Sequence, residues 1–67
     1  MIQAMVLING VRHVHSQVFD SQDDALEQLL KNSSYSRIVA WLDYNDGAID
    51  VYKADVNLSL LRGETRD

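Results

Sequence analysis

The sequence predicts an α+β fold: a small antiparallel sheet of two hairpins flanking one helix, in the order β-β-α-β-β, with a short C-terminal strand or helix after it. Three observations predict it. Asn9-Gly10 and Asp46-Gly47 are strong two-residue hairpin signals, each set between runs rich in apolar and β-branched residues. Between the two hairpins, residues 21–32 carry apolar side chains at helical spacing. The chain has 67 residues with no proline and no cysteine, which predicts one domain over residues 1–67 without linker or disulfide staple.

The first strand is expected over residues 2–8 and its return over residues 11–19. With Asn9 and Gly10 as the loop, Ile8 faces Val11, Leu7 faces Arg12, Val6 faces His13 and Met5 faces Val14. One face then holds Ile2, Ala4, Val6, Ile8, Val11 and Phe19, and the other holds Met5, Leu7, Val14 and Val18. Neither face is polar, and a single helix covers only one of them. An antiparallel sheet with one wet face alternates cleanly, so the second apolar face is expected either beneath the C-terminal tail or against a partner.

The helix is the most firmly specified element. Ser21 is placed to cap it by accepting from the backbone N–H of Asp24. Asp23, Asp24 and Glu27 put negative charge at the end where the helix dipole is positive, and Lys31 sits near the other end. Ala25, Leu26, Leu29 and Leu30 form the buried stripe. A helix of three turns needs a sheet to pack on.

The second hairpin is expected over residues 37–44 and 48–54. Simple alternation places Ile38, Ala40 and Leu42 in the core and Val39 and Trp41 on the outer face, with Trp41 opposite Tyr52. In the two-residue-loop register Leu42 pairs with Val51, Tyr44 with Ile49 and Asp43 with Asp50, a like-charge pair that costs stability. Residues 56–62 alternate as a strand would, and Leu58, Leu61 and Gly63 also suit a short helix; a short strand or extended tail is expected. Residues 63–67 are expected to fray.

Net charge is −4, from ten acids against six bases. A general nucleic-acid binder needs a positive footprint, so that class is disfavoured. His13 and His15 lie on the same face of a strand, about 7 Å apart, but lack the third ligand that a metal site requires. The string from Asp43 to Gly47 departs from a calcium loop in its glycine position and its missing glutamate. Serines without a glycine elbow, and a chain without a glycine-rich phosphate loop, give no reason to expect catalysis. No cofactor is expected.

The sequence therefore reads as a small, acidic, cytoplasmic, non-enzymatic protein–protein interaction module. It would be a regulator or inhibitor, of the kind carried by phages and mobile elements, that binds a basic surface on a larger protein. The residues expected to carry binding are Trp41 and Tyr52, as aromatic anchors, with Asp43, Asp46, Asp50, Asp23, Asp24 and Glu27 around them. Self-association through Met5 and Leu7, or through Val6 and His13, is the structural alternative, and a homo-oligomer is expected. A weak metal- or nucleic-acid-binding module using Arg12, His13 and His15 is the third reading.

Overall fold

Asn9 and Asp46 adopt left-handed backbone (φ 50° and 45°), followed by Gly10 and Gly47 at φ 78° and 82°. That conformation matches the right-handed twist of the strands it joins and closes both hairpins in two residues. The computed structural model describes residues 1–63. Its elements are β1 (Ile2–Ile8), β2 (Val11–Val14), α1 (Gln22–Leu29), β3 (Arg37–Asn45), β4 (Ala48–Asn57) and α2 (Leu58–Leu61). The fold is α+β. One four-stranded antiparallel sheet has the order β2-β1-β3-β4, so α1 carries the chain across β1 between the two hairpins.

The register of the first hairpin is the one the turn predicts, from Ile8↔Val11 to Met5↔Val14. The returning strand is shorter than expected. After Val14 the chain leaves the ladder, and Phe19 rejoins it through a bridge to Ile2, with N···O distances of 2.8 and 2.7 Å. The Gln3 side chain covers the gap by donating to the His15 carbonyl at 3.1 Å and the Ser16 carbonyl at 3.2 Å.

α1 covers the face that carries Ile2, Ala4 and Val6. Ala25 and Leu29 are buried against that face with Leu26 and Leu30 packed beside them, as the helical stripe predicts. Ser21 caps the helix, its hydroxyl accepting from the Asp24 N–H at 3.2 Å. Val6 is 1% exposed beneath this layer, so it cannot take part in self-association.

β3 departs from simple alternation. Val6 pairs with Ile38 and Met5 with Ala40, leaving Val39 as an extra residue opposite β1. β4 answers with its own irregularity: Ile38 pairs with Val56 and Ala40 with Lys53, so Ala54 and Asp55 together oppose Val39. One extra residue moves every following side chain to the other face. Ile38 and Trp41, three apart, therefore both point at the helices and are 0% and 5% exposed. Beyond the bulge the expected faces are reversed. Trp41 joins the core, whereas Leu42 and Tyr44, paired with Val51 and Ile49, lie on the opposite face.

β4 runs through Asn57, and the chain then turns into α2 rather than continuing as a strand or an extended tail. Asn57 supplies the cap, its side chain accepting from the Leu60 N–H at 3.0 Å. Leu58 is fully buried, while Leu60 and Leu61 face solvent. Gly63, at φ 77°, donates its N–H to the Leu60 carbonyl at 2.9 Å and ends the turn. The rest of the expected frayed tail, residues 64–67, lies outside the described residues.

α2 also returns a cation to α1. The last turn of α1 has no basic residue of its own. The Arg62 guanidinium fills that place, donating to the carbonyls of Leu30 at 2.8 Å, Leu29 at 2.9 Å and Asn32 at 2.5 Å. The Leu29 and Leu30 carbonyls stand at the C-terminal end of α1, where a cation complements the helix dipole. Arg62→Ala is expected to lower stability by about 1.5–3 kcal/mol, the range for hydrogen bonds to a charged group. Arg62→Lys recovers only part of this, because an ammonium cannot fork between carbonyls. Urea denaturation of the two variants checks both statements.

Candidate interaction surfaces

Both helices pack on the same side of the sheet, and the other side has no cover among the described residues. Cross-strand partners share a face, so the register defines this open surface row by row. Arg12, Leu7 and Arg37 form one row, Val14, Met5, Ala40 and Lys53 the next, and Gln3, Leu42 and Val51 the third; Tyr44 and Ile49 finish it. Val51 is 63% exposed, Ile49 54% and Val14 48%, and Met5, Leu7 and Leu42 are half-buried. Gln3 is held in this face by the Tyr44 hydroxyl, which donates to its side-chain oxygen. Arg37 is paired with Asp55 at the β3–β4 edge.

The sequence-predicted self-association residues thus divide. Met5 and Leu7 lie on the open face, Val6 is in the core, and His13 is exposed on the helix side, opposite Val6. Leu42, Val51, Tyr44 and Ile49 belong to the open face although simple alternation assigns Leu42 and Tyr44 to the core. The bulge at Val39 is the reason, and nothing in the local composition of residues 37–42 announces it.

The acidic residues gather on the other side. Asp43 pairs with Ile2 and with Asp50, so both carboxylates stand on the helix side at the distal part of the second hairpin. The N-terminal amine lies 3.9 Å from Asp43. Tyr52, paired with Trp41, is on this side too and is 51% exposed, because α1 and α2 do not extend over this part of β4. Trp41 itself is under the helices and not available as an exposed anchor. Asp46 sits in the turn. Asp43 and Asp50 remain a directly opposed like-charge pair, so Asp50→Asn is expected to raise stability, by about 0.2–1 kcal/mol. Thermal unfolding reads the change.

A second acidic group lies on the same side. A shallow depression of about 230 Å³ opens between the loop before α1 and the helix itself, and its lining includes Phe19, Val18, Asp20, Asp24 and Glu27. Phe19 bridges to Ile2 on one side while Asp43 pairs with Ile2 on the other. The depression and the Asp43–Asp50 pair are thus held about two strand spacings apart, roughly 10 Å. Asp23 is exposed on the same helix. Asp20 escaped sequence reasoning because it precedes the helix and belongs to no periodic pattern.

His15 has a structural place. Its ring stacks on Phe19 with centroids 5.7 Å apart and meets Tyr35 edge-on at 5.3 Å. Its Nδ1 accepts from the Gln17 N–H at 3.3 Å. Among the described residues no group of three or more His, Cys, Asp or Glu side chains is arranged to hold a metal ion. No helix among them is long and apolar enough to cross a membrane. Comparison with protein-family models, curated proteins and solved structures finds no match.

Proposed function

We propose that this chain is a small, non-enzymatic protein–protein interaction module, a regulator or inhibitor that binds a basic surface of a larger protein through its helix side. The observation that supports this best is the mainly polar depression beside α1, whose lining brings Asp20, Asp24 and Glu27 together with the exposed Val18. A partner's arginine or lysine can bring its charge to these carboxylates in charge-assisted hydrogen bonds. Asp43 and Asp50, with exposed Tyr52 beside Trp41 in the pairing, extend the acidic footprint along the same side. A basic ligand large enough to span both groups gains electrostatic steering as well as contact area.

The test is affinity capture from the source organism's extract at about 0.1 M salt, where exposed charges still act over about 10 Å. Wild-type protein is compared with the Asp24→Asn/Glu27→Gln double variant. The proposal expects a basic protein retained by the wild type, released by raised salt, and lost from the double variant. Retention of the same proteins by both, or of none by either, contradicts it.

A further inference from the structure

We infer that the open sheet face docks a short acidic segment of another protein, with two carboxylates on Arg12 and Lys53 and an apolar side chain between them. This surface is separate from the acidic helix side, and the proposal stands without it.

The charge of the face is opposite to that of the chain. Net charge is −4, yet the open face presents Arg12, Arg37 and Lys53. Asp55 pairs with Arg37, which leaves Arg12 and Lys53 without a salt bridge among the described residues. Both are exposed. A complementary ligand is therefore an acidic one.

The ground between the two cations is apolar. Arg12 and Lys53 line a depression of about 470 Å³ together with Met5, Ala40, Val51 and Ala54. Ala40 is 7% exposed but stands outside the core cluster, because Met5 and Lys53 flank it on the open side. With alanines for a floor, the depression admits an aliphatic side chain and removes it from water.

Spacing defines the ligand. In the order β2-β1-β3-β4, Arg12 and Lys53 stand three strand spacings apart across the sheet, about 14 Å. An extended peptide rises about 3.4 Å per residue and returns to the same face every second residue. Acids four apart thus span about 14 Å, and the residue midway between them faces the same way. A segment Glu-x-Leu-x-Glu laid across the strands meets Arg12, the alanine floor and Lys53 in turn. The long cationic side chains take up the offset of one row between their positions.

The same residues favour a peptide over other anions. Tyr44 is the one aromatic in the rows of this face, and its hydroxyl is held by Gln3. Single-stranded nucleic acid takes several stacking platforms in a basic groove. Anionic membranes recruit clusters of about four to eight cations, and here two are unpaired. A footprint this small gives a weak, transient contact.

The test is an amide NMR titration of the full chain with the blocked peptide Ser-Glu-Ser-Leu-Ser-Glu-Ser. It is run at about 0.05 M salt, where charges act over more than about 10 Å. Expected are shifts centred on Met5, Arg12, Ala40 and Lys53, and a dissociation constant of about 1 mM or tighter. Arg12→Gln/Lys53→Gln is expected to weaken binding at least about 5-fold, as loss of two exposed ion pairs does. Replacing both glutamates of the peptide by glutamine has the same effect. Unchanged thermal unfolding shows that the double variant is folded. Asp24→Asn/Glu27→Gln retains the binding, so failure here and failure of the acidic-side proposal are separate results. No saturable shift by about 5 mM peptide, shifts on the helix side instead, or equal binding after either glutamine exchange overturns the inference. Tighter binding of oligothymidylate or of phosphatidylglycerol vesicles at the same residues also overturns it, and assigns the face to nucleic acid or membrane.

Discussion

Leu58→Ala is expected to lower the stability of this domain by about 2–5 kcal/mol, as truncation of a fully buried leucine does. The chain has 67 residues, and at the usual marginal stability per residue its whole margin is roughly 3–10 kcal/mol. The variant is therefore expected to melt at least about 8–10 °C lower, with partial unfolding at ambient temperature at the upper end of the range. The location of Leu58 explains the size of the effect. It is 0% exposed, and its backbone N–H donates to the Ser36 carbonyl at 3.0 Å, tying the start of α2 to the entry of β3. Leu60 and Leu61, each 59% exposed in the same turn, supply the control. Their alanine variants should stay within about 0.5 kcal/mol of wild type. Urea denaturation followed by circular dichroism separates the three. Equal effects at all three positions would contradict the placement of α2.

Trp41→Ala is expected to cost about 3–5 kcal/mol, and Tyr52→Ala far less, although the two side chains are cross-strand partners. Trp41 is 5% exposed within the core cluster, whereas Tyr52 is 51% exposed. A tryptophan on an open face would show the reverse order of importance: a small effect on stability and a large one on binding. The ratio of the two losses, measured by the same denaturation, therefore reports which face of β3 meets the helices.

The elements were legible where a local rule dictates them. Asn-Gly and Asp-Gly turns set the register of both hairpins, because a two-residue loop with φ above zero leaves one alignment. Ser21, the acids of the first turn and the stripe of Ala25 and Leu29 specified the helix for equally local reasons. The two apolar faces of β1 were visible from Met5 and Leu7 alone.

What the sequence hid was non-local. The bulge at Val39 follows from how β3 must fit β1 and β4 at once, and it reversed Trp41, Leu42 and Tyr44 between faces. The cap that Arg62 gives to α1 joins residues about thirty apart in sequence. No periodicity signals such a pairing. The acidic depression depends on the return of Phe19 to Ile2, which places Asp20 beside Asp24 and Glu27. Composition offers Asp23, Asp24, Glu27, Asp43, Asp46, Asp50 and Tyr52 as one candidate surface; the structure sets all of them on one side of the sheet except Asp46, which sits in the turn. Trp41 alone of the anchors is withdrawn into the core.

The division of the sheet into a helix side and an open side rests on the reversal at Val39, and the single tryptophan of the chain tests it directly. The measurement is Trp41 fluorescence with acrylamide quenching of the folded protein. A core Trp41 gives blue-shifted emission and weak quenching until urea unfolds the domain. Emission and quenching in the folded protein equal to those of the unfolded chain would put Trp41 on the open face, and the assignment of both surfaces would fail with it.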